Sequence, residues 1–428
     1  MKIWIIWTGY VWLIQAIWLA KLGFDVVSLD IDEKKIEDLK NWIAVIYEPW
    51  LKELLAEVKE NIKFTTNYKD LNDCEIIFVA VWTPQDKRWR TNKDFIHKAS
   101  ISIKQNLENN DKVIVIKSTV PVGTNKEVSE ILGEWFEVVS NPEFLREWKA
   151  IDDFFEPDRV IVWFWKNAKE ETKEKIRKLY NYFIEKNIPY IETTWETAEL
   201  IKYAANSFLA TKISFINELS QLADKVGADI QELANGIWLD KRIWKSFLNA
   251  WLGYGWSCFP KDVKSLIHQF SENGLKGNII EAVDNTNQNQ LNYFLNKIEN
   301  FYDDLDWKNL LVLWLAFKPD TDDLRESRAI ALIQKLQEKG AEVVWYDPLE
   351  KARENVRTFY PEINVIDDLQ NVDFSKINWI IIATEYESFN DLDWENIFSK
   401  ISMPVIFDGR NILDKNKIKK IGFIYKKI

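Results

Sequence analysis

The sequence predicts an α/β protein in which two Rossmann-like, doubly wound domains are joined by a helical central region. Apolar strands alternate with amphipathic helices in the first third of the chain, and the same alternation returns towards its end. Between these two regions, helical periodicity continues without strand signals. We therefore expect three domains, at residues 1–195, 196–300 and 301–428.

The first region contains short apolar runs that end in turn residues, as the buried strands of a parallel sheet do. A helix is expected over Tyr10–Leu22, directly after the first of these runs. The predicted strands are Lys2–Trp7, Asp25–Asp30, Ile76–Val81, Lys112–Ser118, Val138–Ser140 and Arg159–Phe164.

The central region begins with a run from Glu196 to Val226 that contains neither glycine nor proline. This predicts one long helix, suited to a connector or a dimer interface. Further helices are expected over Asp262–Asn273 and Asn278–Ile298, and a later one over Arg328–Lys339. The strands expected in the last region are Leu310–Ala316, Glu342–Tyr346, Trp379–Thr384 and Val405–Asp408.

The composition limits the class of partner. A net charge of −11 over 428 residues argues against nucleic acid or an anionic membrane, and no apolar run approaches the roughly 18 residues of a membrane helix. Cys74 and Cys258 are the only cysteines, which fits the reducing cytoplasm. The two histidines, His97 and His268, have no second ligand at metal spacing, so no metal site is expected.

The turn after the first strand, W-T-G-Y-V-W at residues 7–12, stands where a dinucleotide-binding fold carries G-x-G-x-x-G. Those glycines make the turn, admit the pyrophosphate and let the helix approach the strand. Only Gly9 remains here. Asp30 ends the second strand, where an acceptor for a ribose hydroxyl belongs, and favours NAD over NADP. The alternative is an ordinary βαβ unit that binds nothing.

Polar residues follow later strands, where doubly wound folds bind their ligands. Thr119 lies in S-T-V-P-V-G-T, residues 118–124. Glu143 and Glu147 lie four apart in N-P-E-F-L-R-E, residues 141–147, and could orient a water or accept a proton. A polar turn and a solvated helix start are the alternatives.

Lys202 and Asn206 lie one helical turn apart and leave the same helix face. A lysine and an amide so placed could stabilise an oxyanion, although ordinary solvated side chains have the same spacing. Near the end of the chain, Phe317, Lys318 and Arg410 follow predicted strands and could meet a base and a phosphate.

Cys258 lies in G-Y-G-W-S-C-F-P-K-D, residues 253–262. With Lys261 and Asp262 close behind it, the thiol indicates a prepared nucleophile that could add to an aldehyde and hold the product covalently. Together with the dinucleotide-type turn, this suggests oxidation of an alcohol past the aldehyde to an acid. A buried, inert cysteine is the alternative.

Taken in order, these motifs resemble those of the UDP-glucose 6-dehydrogenases, within the UDP-glucose/GDP-mannose dehydrogenase family. The similarity runs nearly end to end. It implies an N-terminal NAD-binding domain, a central dimerisation domain and a C-terminal domain that binds the UDP-sugar. The segments that carry it are residues 7–12, 118–124, 141–147, 157–159, 199–206, 253–262, 317–327 and 407–410.

The resemblance implies a thiohemiacetal and then a thioester on Cys258, with two NAD reduced per UDP-glucose. Lys202 and Asn206 would steady the oxyanions, and Asp262 would help to activate water. Glu143 and Thr119 would assist hydrolysis and proton transfer. The implied catalytic residues are therefore Cys258, Lys202, Asn206, Asp262, Glu143 and Thr119.

The resemblance also implies NAD as cofactor, UDP-glucose as substrate and a homodimer in which Arg242 reaches the substrate of the other subunit. The implied cofactor-binding residues are Gly9, Tyr10, Val11, Asp30, Lys34, Thr83, Pro84, Thr119, Glu147, Lys261 and Arg325. The implied substrate-binding residues are Glu143, Phe144, Leu145, Arg146, Glu147, Lys202, Asn206, Arg242, Phe247, Tyr254, Gly255, Phe317, Lys318 and Arg410. Another nucleotide-sugar dehydrogenase, such as one acting on GDP-mannose, and a non-catalytic sugar-nucleotide scaffold are the alternatives.

The chain departs from the family pattern in having 22 tryptophans and 13 glycines. Where the backbone needs a positive φ, a bulky residue is strained. Three explanations of these tryptophans are open: a deliberately altered chain, another residue written as tryptophan, or a genuine variant. The family pattern has glycine at Trp7, Trp12, Trp18, Trp42, Trp82, Trp89, Trp148, Trp163, Trp244, Trp256 and Trp314.

Overall fold

A computed structural model describes most of the chain, and it divides into two compact units, Met1–Ala205 and Asn206–Ile428. The second unit begins inside a helix, so the division does not fall in a linker. The described residues are 1–7, 9–46, 50–86, 89–107, 112–146, 149–165, 168–255, 258–302, 304–313 and 321–428.

The first unit alternates strands and helices, as predicted. Its strands are β1 (Lys2–Ile6), β2 (Asp25–Leu29), β3 (Ile62–Thr65), β4 (Ile76–Val79), β5 (Lys112–Ile116), β6 (Phe136–Ser140), β7 (Val160–Phe164) and β8 (Tyr190–Thr193). Its helices are α1 (Tyr10–Lys21), α2 (Glu33–Lys40), α3 (Leu51–Glu57), α4 (Asp94–Asn106), α5 (Thr124–Leu132), α6 (Ala150–Phe155), α7 (Glu170–Leu179), α8 (Asn181–Glu185) and the first part of α9 (Trp195–Val226).

Within the described residues, these strands form one sheet in the order β3-β2-β1-β4-β5-β6-β7-β8. Every pairing is parallel except that of β6 with β7. The order reverses between β1 and β4, and that reversal is the switch point at which doubly wound folds bind ligands. The inner strands β4 and β5 are wholly buried, because helices cover both faces.

The second unit continues from α9 into helices and then into a second α/β region. Its further helices are α10 (Ile230–Trp238), α11 (Phe259–Glu272), α12 (Asn278–Glu299), α13 (Arg328–Glu338), α14 (Glu350–Phe359), α15 (Trp394–Lys400) and α16 (Lys415–Ile421). Its strands are β9 (Asn309–Leu313), β10 (Glu342–Tyr346), β11 (Asn364–Ile366), β12 (Trp379–Ile382), β13 (Val405–Asp408) and β14 (Ile424–Lys427).

In the described part of this unit, the strands form a wholly parallel sheet in the order β11-β10-β9-β12-β13-β14. The predicted fold class, two doubly wound regions joined by helices, is confirmed. No helix among the described residues has both the length and the apolar character needed to cross a membrane.

Local sequence signals explain several element boundaries. Helices α2, α10, α13 and α16 begin after side chains that accept a hydrogen bond from the first turn. Strand β1 ends one residue earlier than predicted, because Trp7 has a left-handed backbone with φ of 82°. The four capping residues are Asp32, Asp229, Ser327 and Asp414.

Candidate active site

Two indole rings lie against the glycine that precedes α1. Trp7 is left-handed, and Gly9 precedes the first turn of α1. A Cβ placed on Gly9 would lie 3.5 Å from Trp12 Cδ1 and 3.8 Å from Trp7 Cε2. The two rings therefore occupy the side of Gly9 on which a pyrophosphate would approach the backbone.

Asp30 lies just beyond the C-terminal end of β2 and is buried. Its Oδ1 accepts a hydrogen bond from the Asp32 N–H at 3.0 Å, and its Oδ2 is 2.9 Å from Lys35 Nζ. These bonds fix the carboxylate at the end of β2, the position at which dinucleotide-binding folds carry an acceptor for a ribose hydroxyl. Lys35 makes this contact, whereas the predicted Lys34 is exposed on α2.

Two predicted polar strand ends meet beside the switch point. The Thr83 hydroxyl donates to the Thr119 carbonyl oxygen at 2.9 Å, and the Ser118 hydroxyl donates to the Val81 carbonyl oxygen at 2.7 Å. The segments after β4 and β5 are thus held together. Pro84 follows Thr83 in the same segment and is partly exposed.

Glu143 and Lys202 form an ion pair in the first unit. Lys202 Nζ is 3.2 Å from Glu143 Oε1, and both side chains are largely buried. The other carboxylate oxygen of Glu143 accepts the Leu145 N–H at 2.6 Å. Phe144 packs against Lys202, with Nζ 5.4 Å from the ring centre. Four predicted site residues are therefore brought together in one cluster.

Lys117 is a buried cation near this pair that the sequence interpretation missed. Its Nζ donates to Asn141 Oδ1 at 2.9 Å, and the Tyr180 hydroxyl donates to the same oxygen. Burial lowers the pKa of Lys117 to about 8, opposed by the negative charge of Glu143. This network fixes the end of β6 two residues before Glu143.

Glu199 of α9 is a second buried group that sequence reasoning missed. Its carboxylate accepts the N–H groups of Gly123 and Asn125 at 2.7 and 2.9 Å, and the Asn125 side-chain amide at 2.6 Å. It thereby binds the N-terminus of α5, directly after the segment that contains Thr119. Burial raises the pKa of Glu199 to about 7, despite these hydrogen bonds.

This raised pKa predicts a pH-dependent stability. Between the unfolded carboxyl pKa and about pH 7, the folded chain binds more protons at Glu199, so this group's contribution to stability falls as pH rises. Glu199→Gln removes the titration. The melting-temperature difference, wild type minus Glu199→Gln, should therefore shrink between pH 5 and pH 8. A constant difference over that range would contradict the assignment.

In the second unit, Cys258 occupies the N-cap position of α11 and is partly exposed. Its carbonyl oxygen accepts the Asp262 N–H at 2.8 Å, which closes the first turn. The positive end of a helix favours a thiolate over a thiol. The position therefore suits a nucleophile better than an inert core thiol.

Asp262 is almost completely buried one turn after Cys258. Asn206 Nδ2 donates to Asp262 Oδ2 at 2.6 Å, and Lys261 Nζ lies 2.5 Å from Asp262 Oδ1. Residues from two separately selected motifs are thus joined in one hydrogen-bonded group at the first turn of α11.

Arg410 follows β13 and is largely buried. Its guanidinium lies 3.7 Å from the centre of the Trp251 ring and is ion-paired with Glu385. Burial lowers the pKa of Arg410 to about 9. The turn is fixed by Asp408, whose carboxylate accepts the N–H groups of residues 410, 412 and 413.

The remaining predicted residues are less closely associated with these groups. Arg146 pairs with Asp153, Arg325 with Asp323, and Arg242 with Asp240, all through exposed guanidinium groups. Phe247 has a left-handed backbone and packs against Phe259, and Tyr254 is buried against the same ring. Glu147, Phe317 and Lys318 lie outside the described residues, as do the side chains of Tyr10 and Val11.

Family models match three consecutive parts of the chain. Residues 1–184 match the NAD binding domain of the UDP-glucose/GDP-mannose dehydrogenase family, residues 196–289 its central domain, and residues 311–415 its UDP binding domain. The chain belongs to this dehydrogenase family. The resemblance inferred from the motifs is confirmed, and NAD is the cofactor of the enzyme.

Known members are similar over their full length. The chain is 39% identical to UDP-glucose 6-dehydrogenase of Rickettsia felis, covering 99% of this chain and 95% of the relative. It is 37% identical to UDP-glucose 6-dehydrogenase TuaD of Bacillus subtilis, covering 100% and 93%. The structure of a UDP-glucose dehydrogenase from Pyrobaculum islandicum superposes with a TM-score of 0.89 at 32% identity, covering 99% and 96%.

The dehydrogenase offers NAD a site that fits in one part and is obstructed in another. The carboxylate of Asp30 has the position along the chain that an acceptor for the adenosine ribose takes in dinucleotide-binding folds. The turn around Gly9 suits the pyrophosphate less well, because the side chains of Trp7 and Trp12 already lie within 4 Å of where a Gly9 Cβ would be.

Proposed function

We propose that this dehydrogenase oxidises UDP-glucose to UDP-glucuronate in two steps, with a covalent intermediate on Cys258. The proposal depends on one observation, the place of Cys258 at the N-terminus of α11, one turn before the carboxylate that Asn206 and Lys261 hold. The relatives named above support the sugar nucleotide, since each is a UDP-glucose dehydrogenase.

The proposed steps balance as follows. Removal of a hydride and a proton from the sugar C6 alcohol gives an aldehyde, to which the Cys258 thiolate adds to form a thiohemiacetal. Loss of a second hydride and proton leaves a thioester, and water hydrolyses it to the acid and the thiol. NAD, when bound, accepts one hydride in each oxidation.

The residues that the family resemblance implies are assigned roles in these steps. The Lys202 ammonium and the Asn206 amide would donate hydrogen bonds to the oxygen that gains negative charge. Asp262 would accept a proton from the hydrolytic water. Glu143, held by Lys202 and the Leu145 N–H, would take part in proton transfer, with Thr119 assisting.

Stoichiometry and substrate choice test this function. A four-electron oxidation requires two NADH per UDP-glucose, with little free aldehyde. We expect that ratio from the chain carrying Trp7→Gly and Trp12→Gly, measured by absorbance of NADH and chromatography of the sugar nucleotide. One NADH with accumulating aldehyde would contradict the thioester route. Turnover of GDP-mannose alone would indicate the related activity, and binding without turnover a scaffold.

We further propose that the enzyme is a homodimer formed through α9. Phe208, Phe215 and Leu222 are spaced by seven residues along this helix, and each side chain is more than half exposed. Apolar residues at heptad spacing favour burial against a second helix. Arg242 is exposed and pairs only with the nearby Asp240 in this structure, so its side chain could extend to another subunit.

Phe208→Glu with Phe215→Glu is expected to convert the dimer to a monomer, because buried charges would oppose the interface. Sedimentation velocity measures the change, and Lys225→Glu on the exposed end of the same helix is the control. A monomeric unsubstituted chain, or a dimer unaffected by both glutamates, would refute this interface.

The proposed domains are residues 1–195, 196–300 and 301–428, for NAD, dimerisation and UDP-sugar respectively. The three family matches, over residues 1–184, 196–289 and 311–415, support this division. A cytoplasmic location belongs to the same proposal and is supported by the composition, with two cysteines in 428 residues.

A further inference from the structure

We propose that Asn287 is a positioning residue that fixes the loop before Cys258; this inference rests on the proposed function. Asn287 lies on α12 and is completely buried. Its Oδ1 accepts the Tyr254 N–H at 2.6 Å, and its Nδ2 donates to the Tyr254 carbonyl oxygen at 2.9 Å. One side-chain amide thus binds both polar backbone groups of one loop residue.

Arg328 strengthens the same attachment. Its Nε donates to the Tyr254 carbonyl oxygen at 2.9 Å, so that this oxygen accepts from two side chains on two different helices. The guanidinium also lies 3.4 Å from Gln288 Oε1. The Tyr254 carbonyl oxygen is buried and both of its donors are fixed, so a shift of this oxygen would break a hydrogen bond. The loss of a hydrogen bond away from water is costly in free energy.

The glycines on either side of Tyr254 show how closely the loop is enclosed. Gly253 has a φ of 104°, and a Cβ there would lie 2.7 Å from Asn287 Oδ1. A Cβ on Gly255 would collide with the carbonyl oxygen of Glu326. The backbone is therefore confined by α12 and by the segment before α13, four residues ahead of Cys258.

This arrangement gives Asn287 an effect on reactivity without contact with the thiol. Tyr254 packs edge-on against Phe259, the first residue of α11, so a displaced Tyr254 would displace the thiol from its position at the helix end. Reactions that depend on such alignment lose about a hundredfold in rate for a 1 Å displacement.

Asn287→Asp tests the idea, because it keeps the acceptor and replaces the donor. The carboxylate would repel the Tyr254 carbonyl oxygen, whereas the protonated acid could donate to it.

We expect a fall of about a hundredfold in kcat at pH 8 with little change in KM for UDP-glucose. The alkylation rate of Cys258 by iodoacetamide, relative to the parent chain, should recover as the pH falls. The background is Trp7→Gly with Trp12→Gly, and the matched control is Asn285→Asp, an exposed asparagine on the same helix.

Equal alkylation ratios at every pH, together with an unchanged kcat, would overturn the inference. If Asn287→Asp does not fold, Asn287→Ser replaces it, since one short hydroxyl cannot bind both Tyr254 backbone groups; an unchanged kcat there would also overturn the inference. A different result would contradict the proposed function itself: full activity of the Cys258→Ser variant.

A second inference comes from the backbone at tryptophan. We propose that the left-handed tryptophans occupy positions built for glycine. Nine described non-glycine residues have a positive φ, and five of them are tryptophan, a residue with no preference for this conformation. The five are Trp7 (82°), Trp42 (60°), Trp50 (66°), Trp89 (63°) and Trp307 (58°).

Other tryptophans, none of which has a positive φ, show a separate misfit at the indole nitrogen. Among the described residues, the Nε1 atoms of five buried tryptophans have no hydrogen-bond partner, an uncommon condition for a buried donor. Trp394 differs, because its Nε1 donates to the Phe389 carbonyl oxygen at 2.9 Å and its ring packs edge-on against Phe423. The five are Trp4, Trp18, Trp195, Trp345 and Trp379.

The test replaces the three exposed left-handed tryptophans, Trp50, Trp89 and Trp307, together by glycine and measures the midpoint of urea unfolding. We expect a higher midpoint, since strain is relieved at each position. Trp394→Gly is the control and should lower the midpoint by opening a cavity. An unchanged or lower midpoint in the threefold variant would overturn the inference.

Discussion

The chain carrying Trp7→Gly and Trp12→Gly is expected to bind NAD about a hundredfold more tightly than the unsubstituted chain. The two indole rings lie against Gly9, and removing them would give the pyrophosphate room to reach the N–H groups at the start of α1. Two hydrogen bonds to a charged group contribute about 3 kcal/mol together, which corresponds to about a hundredfold in affinity.

Calorimetric titration of both chains with NAD measures this difference. Trp135→Gly is the control, because Trp135 is exposed and precedes β6, away from the turn. NADP should bind the restored chain more weakly than NAD, since its extra phosphate would meet the carboxylate of Asp30. Equal NAD affinities for a well-folded unsubstituted chain and the double-glycine chain would refute this account of the turn.

Cys258→Ser is expected to lower formation of UDP-glucuronate by on the order of 10⁴-fold or more, as loss of a covalent nucleophile does elsewhere. A serine hydroxyl is far less ionised than a thiol, so the second oxidation would lack its thioester. NADH yield and mass spectrometry of the enzyme after addition of UDP-glucose are the measurements, on the double-glycine background.

Cys74→Ser provides the matched control. Cys74 is buried before β4, and burial raises the pKa of its thiol to about 12, so it should be unreactive. We expect near-normal turnover from this variant. Near-normal production of UDP-glucuronate by Cys258→Ser would remove Cys258 from the mechanism.

The sequence predicted the elements whose burial is continuous. Strands β4 and β5 are apolar throughout, and the fold class followed from such runs and the helices between them. Strands β3 and β8 were not predicted, because they are short, lie at sheet edges and carry exposed polar residues. The predicted start of α11 at Asp262 was three residues late, since Pro260 in the first turn does not interrupt a helix.

The candidate site shows a similar division. Asp30 and Cys258 could be found from motifs, because spacing along the chain defines them. Glu199, Asn287 and Lys117 could not, since each acquires its role by binding a backbone or side chain far away in sequence. Glu199, for instance, bonds to Gly123, 76 positions away.

The left-handed tryptophans bear on how the gene for this protein is translated. An indole at one glycine turn is an isolated substitution, whereas five such turns in one chain indicate a common origin. One codon that the cell's own tRNA reads as glycine, but that is decoded as tryptophan elsewhere, would produce this distribution. Other genes of the same genome would then carry tryptophan at their glycine turns. The intact mass of the enzyme purified from its own cells, lighter than the tryptophan-containing chain, would establish that decoding.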